Sequence, residues 1–332
     1  MSKKQPKVSI GLPVYNGENF IREAIDSILA QTFTDFELVI SDNASTDNTE
    51  AICREYITKD SRIKYYKNKT NLGGAPNYNR TVELSNGEYF KWAAHDDVIT
   101  PDFLSKCVDI LDSNPDVVLC HSLVSYIDEN SNFIGNYNVN LHTDSSRIQV
   151  RFHELLAKHL CYPIFGLIRS SALKVTPPQG GYGAADAIFL LRLAMRGKFY
   201  EIPEYLFFSR SHPQQSLSIL FPDYMSFRHD KPEYTLDMLP DLYGYAQWFD
   251  SSNDESKLLF QHWRVFWEYL RSAWLVKMNS YERLCCHISL IKQFKGTESL
   301  LLKDFLIAAK ILWNKYTKSQ TLQAADSQIS KS

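Results

Sequence analysis

The chain opens with a regular alternation of apolar and polar positions that then changes into a helical pattern. Apolar side chains occupy every second position of residues 8–15, which is the period of a β-strand. In residues 16–31 they recur every three or four positions, the spacing of one face of a helix. Asn16 stands directly before this pattern and is predicted to cap the helix. The N-terminal segment therefore predicts a strand followed closely by a helix.

The same alternation continues along the following segments. Further strands are predicted over residues 36–41, 63–68, 89–94 and 117–128, with helices in the segments 42–60, 73–87 and 100–115. Thr100 is predicted as the cap of the last of these helices, with Pro101 at its first position. Strands and helices that alternate at this pace indicate βαβ units and a mainly parallel sheet.

Beyond residue 128 the pattern becomes less regular. Predicted there are a helix over 146–160, a strand over 164–169, a helix over 185–197 and strands over 198–203 and 205–210. From residue 223 the pattern is helical, and the last residues resemble a frayed tail. The predicted fold class is α/β with an all-α C-terminal extension. The predicted domains are an α/β unit at 1–222, the helical extension at 223–316 and a flexible tail at 317–332.

Composition narrows the possible classes of protein. The 332 residues are 44% hydrophobic and 22% charged, and the formal net charge of −2 gives no reason to expect a nucleic-acid partner. The six cysteines form no CxxC pair, which is typical of reduced thiols in a cytosolic protein. No segment has the continuous apolar region of a signal peptide or the roughly 18 apolar residues of a membrane span. We therefore expect a cytoplasmic globular protein.

Polar residues follow three of the predicted strands directly. Tyr15 and Asn16 close the first strand, Asp42 and Asn43 the second, and Asp96 with Asp97 the fourth. The carboxyl ends of parallel strands lie on one edge of a sheet, where open α/β folds bind their ligands. Two adjacent carboxylates beside a buried strand repel each other and are costly to desolvate. A bound cation would relieve this repulsion, whereas a solvated turn is the simpler alternative.

No GxGxxG follows the first strand and no P-loop motif is present, so neither motif supports a nucleotide site here. The opening block, VSIGLPVYNGENFIREAIDSILAQTFTDFELVISDNASTDNT, resembles that of the family 2 glycosyltransferases. Ala94–Asp97 (AHDD) and the segment from Gly183 to Ser216 are similar to later blocks of the same family, so the resemblance covers roughly residues 7–216. It implies the GT-A fold, a Rossmann-like α/β/α sandwich, and transfer of a sugar from a nucleotide-sugar with inversion.

The resemblance assigns the paired acids to a donor site. It implies that Asp97 binds a divalent cation, Mg²⁺ or Mn²⁺, that Asp96 contacts the nucleotide-sugar, and that His212 completes the metal or diphosphate site. Oxygen ligands suit such hard cations, which take one or two carboxylates and complete their shell with phosphates. His95 stands where the family has another acid, which makes Asp97 the stronger candidate ligand. The alternatives are a polar turn at the start of a helix and a loop histidine.

Five further residues are implied to bind the nucleotide-sugar. Asp42 matches the acid that accepts a hydrogen bond from the base, and Pro13 and Tyr15 match residues that line the nucleotide pocket. Asn77 matches the asparagine of a family motif. Gly166 matches the position where the chain passes between donor and acceptor. Four of these five residues have a structural alternative. Asp42 could form an Asx-turn, Pro13 could end a strand, Tyr15 could be a core aromatic, and Gly166 could mark a strand irregularity.

Asp186 is the candidate catalytic base. It opens an apolar helix and matches the catalytic acid of the family, although Ala185 replaces the acidic neighbour that often precedes it. A carboxylate placed beside an acceptor hydroxyl can take its proton while the oxygen attacks the anomeric carbon. The alternative is an aspartate that only caps the helix.

The C-terminal extension is basic and aromatic. Residues 255–318 contain eleven Lys or Arg against five acids, a net charge of +6. Such helices could rest on the inner face of an anionic membrane, form a homodimer, or simply cap the α/β unit, and these alternatives stay open.

The predicted partners are a nucleotide-sugar donor, most simply UDP-linked, and a glycan or lipid-linked acceptor. By analogy with the family, we expect a role in surface polysaccharide or other glycan synthesis. Two alternatives remain, a nucleotidyltransferase on a related fold and a degenerate relative that binds nucleotide without catalysis.

Overall fold

The structure is a computed structural model that describes residues 5–137, 141–158, 161–215 and 259–329. The predicted boundary at 222/223 and the predicted helical segment up to residue 258 lie outside these residues. The division into domains therefore stays a prediction.

A single mixed sheet forms the centre of the described part of the chain. Its strands are β1 Val8–Val14, β2 Phe36–Asp42, β3 Ile63–Lys67, β4 Tyr89–Trp92, β5 Val98–Ile99, β6 Val117–Ile127, β7 Phe133–Tyr137, β8 Leu167–Arg169 and β9 Lys198–Arg210. They are ordered β3-β2-β1-β4-β8-β6-β9-β5, and β7 pairs with β6. β1 to β4, β6 and β9 run in one direction, and β5, β7 and β8 in the other. The prediction of a mainly parallel sheet is confirmed.

Helices cover both faces of this sheet. They are α1 Ile21–Leu29, α2 Thr49–Lys59, α3 Gly74–Glu83, α4 Phe103–Ser113, α5 Ile148–Lys158, α6 Ser170–Lys174, α7 Ala185–Ala194, α8 Gln261–Ser272, α9 Ser280–Phe294 and α10 Glu298–Ile329, with a short 3-10 helix at Tyr162–Phe165. One hydrophobic cluster joins the sheet to α1, α2 and α4, and a second joins it to α5, α7, α8 and α9. Two cores on opposite faces make the predicted three-layer α/β/α sandwich.

Two predicted helix caps are wrong. Asn16 has a left-handed backbone with φ of 52°, and α1 begins only at Ile21 without a side-chain cap. Asn16 instead accepts a hydrogen bond from the Thr46 amide at 2.9 Å, which joins two loops at the end of the sheet. In α4 the cap position is Asp102, because the residues from Thr100 to Pro101 still form the turn after β5.

Two predictions beyond residue 128 need correction, and two strands were not predicted. The two strands predicted at 198–203 and 205–210 form one long strand, β9, whose pairing with β6 shifts register instead of breaking. The predicted strand at 164–169 is shortened to Leu167–Arg169, because its first residues form the 3-10 helix. β5 and β7, which the pattern did not predict, add antiparallel edges.

The C-terminal helices pack on the α/β unit. Leu290 and Phe294 of α9 belong to the same hydrophobic cluster as Phe152 of α5. Arg192 of α7 donates to the Ser272 hydroxyl at 2.9 Å and pairs with Glu268, both on α8. This arrangement is the one expected of a helical cap. α10 continues as a helix through residues 317–329.

All six cysteines are free thiols, and four of them are buried. Among the described helices, none combines the length and apolar character needed to cross a bilayer.

Candidate active site

The loops after β1 and β2 are tied together at the carboxyl end of the sheet, which we call the carboxyl edge. The Asn16 amide donates to Ser45 Oγ at 2.9 Å, and the Gly17 amide donates to Thr49 Oγ1 at 2.9 Å. Pro13 is buried in β1, but Tyr15 is 45% exposed. The structure therefore leaves the Tyr15 ring at the carboxyl edge open to a ligand, while Pro13 shapes the strand beneath it.

Asp42 ends β2 with its side chain fully buried. Its Oδ1 accepts from the Ser45 amide at 2.8 Å, and its Oδ2 accepts from the Tyr65 hydroxyl at 2.5 Å. Burial, followed by the hydrogen bond to Asp42, raises the pKa of Tyr65 far above its usual range. The turn-forming interpretation of Asp42 is thus satisfied. Each carboxylate oxygen keeps a second lone pair, so a contact with a base stays a prediction.

Asn77 connects α3 to β2. Its Oδ1 accepts from the Ser41 hydroxyl at 2.8 Å and from Asn68 Nδ2 at 3.0 Å, and its Nδ2 donates to the Ser41 carbonyl at 2.9 Å. The side chain is 3% exposed. In this structure Asn77 therefore holds α3 against the carboxyl edge, next to Asp42.

Asp96 and Asp97 are both buried, at 9% exposure each, and a buried arginine fixes the loop that carries them. The Arg210 amide donates to Asp97 Oδ1 at 2.9 Å, and Arg210 Nε donates to the Asp96 carbonyl at 2.8 Å. The guanidinium also pairs with Glu23 of α1 at 2.6 Å. Arg210 thus joins the end of β9, the aspartate loop and α1.

Two histidines adjoin the Asp96 carboxylate. His212 Nε2 lies 3.1 Å from Asp96 Oδ2, and His95 Nδ1 lies 3.9 Å from Asp96 Oδ1. Burial raises the pKa of Asp96, but His95 and the hydrogen bond with His212 outweigh this effect, so its pKa is below the ordinary value. His212 is 7% exposed, and its Nδ1 finds no hydrogen-bond partner among the described residues. Buried polar atoms without partners are rare and often mark functional sites.

Asp186 approaches the same place from another segment. It is the second residue of α7, which begins after Ala184 with a left-handed φ of 58°, so the helix-cap interpretation of Asp186 does not hold. Burial first, and then the charges of Asp186, Asp96 and Asp97, raise the pKa of Tyr78 far above its usual range. The charges of all three carboxylates therefore act on the Tyr78 hydroxyl.

Gly166 lies where the 3-10 helix meets the sheet. A Cβ at this position would stand 2.6 Å from the Cys120 carbonyl of β6, so only glycine fits without movement. The preceding Phe165 carbonyl accepts a hydrogen bond from the buried Lys91 ammonium of β4. Gly166 therefore has a packing reason, and its contact with donor or acceptor stays a prediction.

The structure thus brings together Asp96, Asp97 and His212 by direct contacts, and Asn77 holds α3 beside Asp42. The connection of Asp186 to them is its charge, which acts on Tyr78 of α3 together with the charges of Asp96 and Asp97. Sequence reasoning missed Tyr78, Arg210 and Lys91. Arg210 begins the RSHPQQS segment and Tyr78 follows Asn77, so both were signalled by their position next to recognised motifs. The signal for Lys91 was its charge, since it lies inside an otherwise apolar strand.

The donor set at the carboxyl edge fits a divalent cation bound together with a diphosphate. Among the described residues, no group of three or more His, Cys, Asp or Glu side chains is arranged to hold a metal by itself. Mg²⁺ and Mn²⁺ commonly need only one or two carboxylates when phosphates and water complete the shell. The buried His212 imidazole, with one ring nitrogen beside Asp96 and the other unpartnered, agrees with such a shared site.

The opposite end of the sheet holds a wide depression. It has a volume of about 800 Å³ and is lined by Lys7, Glu88, Arg169 and Lys174, among others. Ligands of open α/β sheets bind at the carboxyl ends of strands, and this depression lies at the amino ends of β1 and β4. It therefore does not compete with the carboxyl edge as a candidate active site.

A family comparison agrees with the fold. The model of glycosyl transferase family 2 matches residues 9–176, which is 168 of the 332 residues. The chain belongs to glycosyl transferase family 2. The match includes the carboxyl edge as far as Asp97 and Gly166, but ends before Asp186 and His212.

The curated relatives match only part of the chain. An uncharacterized glycosyltransferase of Rickettsia typhi is 41% identical over 116 residues, which is 34% of this chain and 35% of that protein. An uncharacterized glycosyltransferase of Methanocaldococcus jannaschii is 36% identical over 135 residues, or 40% of this chain and 47% of that protein. The chain thus matches less than half the length of either relative.

Solved structures are similar over a longer stretch. The structure of S. aureus TarS 1–349 in complex with UDP-GlcNAc covers 87% of this chain and 89% of its own length, with a TM-score of 0.53 and 18% identity. At this identity the likeness shows the fold. The GT-A type of sandwich, with helices following it, is therefore shared.

Proposed function

We propose that this chain is an inverting glycosyltransferase that moves a sugar from a nucleoside-diphosphate sugar to a hydroxyl acceptor. The observation that carries the proposal is the aspartate loop, in which Arg210 holds Asp96 and Asp97 and His212 adjoins Asp96. The charge of Asp186 acts on the same Tyr78 hydroxyl as the charges of Asp96 and Asp97. These carboxylates come from segments about ninety residues apart along the chain. Family membership, from a match over residues 9–176, supports the same conclusion.

The donor side is assigned to the aspartate loop. Asp97, with Asp96 and His212, would hold the divalent cation and the diphosphate, and the cation would supply Lewis-acid stabilisation of the departing charge. Arg210 fixes the orientation of this loop, because it binds the Asp97 carboxylate through its amide and the Asp96 carbonyl through its side chain. A site fixed in advance needs little reorganisation during the reaction.

The nucleotide is assigned to the neighbouring part of the carboxyl edge. Tyr15 supplies an exposed ring, Pro13 and Asp42 form the floor, and Asn77 with Gly166 shapes the walls. A uridine nucleotide is the best supported, because TarS, which shares the fold, was solved with UDP-GlcNAc. The buried Asp42 oxygen beside Ser45 would accept a hydrogen bond from a ring N–H.

Asp186 is assigned as the general base. An acceptor hydroxyl is a weak nucleophile until its proton is being removed, and a positioned carboxylate can accept that proton as the oxygen attacks. A base on α7 comes from a different element than the donor acids on the loop after β4. This separation suits inversion, in which nucleophile and leaving group occupy opposite faces of the sugar.

An Asp186→Asn variant tests the assignment of the base. Asparagine keeps the size and hydrogen bonding of the side chain but cannot take a proton, so we expect UDP binding to persist and transfer to fall by at least about 100-fold. The measurements are UDP affinity by calorimetry and turnover with a screened donor and acceptor. Asp109→Asn, the same change on the exposed face of α4, is the matched control and should leave both unchanged. Full turnover by the Asp186 variant would remove it as the base.

Removal of metal tests the donor site separately. We expect UDP to bind with Mn²⁺ present and to lose at least about tenfold in affinity with EDTA, because the buried acids otherwise repel the diphosphate. Asp97→Asn should weaken the binding that depends on Mn²⁺. Equal affinity with and without metal would contradict the role of Asp97.

We further propose that the acceptor is a glycan or a lipid-linked sugar in surface polysaccharide synthesis, a step supported by family analogy alone. The catalytic domain would span residues 1–222, the helical extension 223–316 and the tail 317–332. A nucleotide-sugar screen by thermal stabilisation would identify the donor, since a matched donor raises the melting temperature most.

A further inference from the structure

The last described helix carries an apolar stripe on its outer face. The stripe consists of Leu302, Phe305, Leu306, Leu312, Trp313 and Tyr316, each more than half exposed. At about 100° per residue, these positions fall within an arc of roughly 120° around the axis of α10. An apolar stripe of this width usually packs against the core of a protein or against a partner, yet here it faces outward.

Contacts on the opposite face of α10 fix this orientation. Asp304 is fully buried and accepts from the Trp263 amide at 3.0 Å, and His262 Nδ1 lies 2.6 Å from its other oxygen. Ala308, one turn further along, is 4% exposed. α10 is thus held on α8 through Asp304 and through Phe305, whose half-exposed ring lies 6.4 Å from that of Trp263. The other large apolar side chains of the stripe are left on the outside.

The charges beside the stripe have one sign. Lys303 and Lys310 are exposed, and Asp304, the only acid between residues 299 and 317, is buried and engaged. Two copies of this face would bring like charges together, which disfavours a dimer. An anionic surface would pair with the lysines.

The stripe also has the composition of a helix that lies in a membrane interface. Trp313 and Tyr316 contact each other at 6.2 Å between ring centres, and Phe305, about two turns earlier on the helix, is 54% exposed. Aromatic side chains of this kind, with leucines on the same face and lysines at its border, suit the boundary between headgroups and acyl chains. The exposed Lys303 and Lys310 require the helix to lie along the surface.

We propose that the α10 stripe docks the chain on an anionic lipid surface. The leucine and aromatic side chains enter the boundary, and Lys303 and Lys310 contact the headgroups. This role is separate from sugar transfer, since it uses none of the residues of the carboxyl edge.

The test is co-sedimentation of the full chain with vesicles. We expect binding to vesicles of equal parts phosphatidylcholine and phosphatidylglycerol, weaker binding as salt is added, and little binding to phosphatidylcholine alone. The combined variant Leu302→Gln, Leu306→Gln and Leu312→Gln should bind the anionic vesicles at least about tenfold more weakly. Gln keeps helix propensity, and an unchanged circular dichroism spectrum would show that the fold persists.

A matched control and a charge variant complete the experiment. Lys174 and Val175 are adjacent exposed residues at the end of α6, so the pair Lys174→Gln and Val175→Gln should bind as the wild type does. Lys303→Gln with Lys310→Gln should lose the preference for anionic vesicles. Equal vesicle binding by the leucine variant and the wild type would overturn the proposal, as would a wild type that binds neither kind of vesicle.

Light scattering without lipid tests the alternative that the stripe binds a second copy of the chain. If the wild type is a dimer and the leucine variant a monomer, the stripe is an interface between two copies and the lipid proposal fails. A wild type and variant of equal mass, together with lost vesicle binding, support it. UDP binding should be unchanged in every α10 variant, so failure here leaves the proposed transfer reaction untouched.

Discussion

The carboxyl edge and the outer face of α10 are opposite in character. At the carboxyl edge, charged side chains such as Asp42, Asp97 and Arg210 are buried among hydrogen-bond partners. On α10, large apolar side chains such as Leu306 and Trp313 are 74% and 67% exposed. Each region thus places residues in surroundings that cost free energy in the isolated chain.

The difference shows what each region needs. Buried charge is tolerated where a network satisfies it, and the atoms left over, such as His212 Nδ1, are those that a ligand could satisfy. Exposed apolar surface is left for a partner that removes it from water. Substitutions in the polar network and in the apolar stripe should therefore have different effects on stability.

The largest expected effect is on the polar network. Arg210→Gln should lower the free energy of unfolding by about 4 kcal/mol, because Glu23 and the carbonyls of Asp96 and Asp128 lose a buried ionic donor. Chemical denaturation measures it. Arg22→Gln is the control, since Arg22 pairs with Glu55 on the surface with side chains 49% and 40% exposed, and it should have a far smaller effect. Similar losses in both variants would contradict the importance of burial.

The next effect separates the two faces of α9. Leu290 is 1% exposed and packs in the cluster shared with α5, so Leu290→Ala should cost about 3 kcal/mol. Leu284, on the same helix, is 55% exposed, and Leu284→Ala should stay within about 0.5 kcal/mol. Thermal unfolding of both variants compares them. Equal costs would mean that the outer face of α9 is also covered.

A smaller effect depends on pH. Burial lowers the pKa of Lys91 from 10.5 to about 8. Below pH 8 Lys91 is protonated in both the folded and the unfolded state, and the folded state carries a buried charge. Between pH 8 and 10.5 Lys91 is deprotonated in the folded state but still protonated in the unfolded state. The free energy of unfolding therefore rises with pH in this range. Between pH 7 and 10.5, the free energy of unfolding of the wild type should increase by at most about 3 kcal/mol relative to that of Lys91→Met. Denaturation curves of both proteins with parallel pH dependence would exclude a buried charged lysine.

Much of the fold could be predicted from local pattern. The order of strands and helices up to residue 128 followed from apolar spacing. An apolar residue at every second position gives a buried face only in a strand, and one at every third or fourth position gives it only in a helix. The errors lie where neighbours decide. Asn16 binds a loop rather than a helix, and residues 198–210 form one strand because β6 pairs with it along its length.

The candidate site was predictable in part for the same reason. Asp42, Asp96 and Asp97 follow strands that must end on one edge of a parallel sheet, so their convergence could be predicted from the sequence. Asp186 lies on a helix whose position no local pattern gives, and it was placed by resemblance to a family. Arg210 was missed, since only the return of β9 beside the aspartate loop gives it a role.

The sequence by itself determined which segments form strands and helices and where acids follow them, because short-range apolar periodicity specifies local structure. Only the tertiary structure decided that the charges of Asp96, Asp97 and Asp186 act on Tyr78, that Asn77 bonds β2, and that the stripe on α10 is exposed. Those facts depend on contacts between residues far apart in the chain, whose geometry is fixed by packing of the whole sheet and its helices.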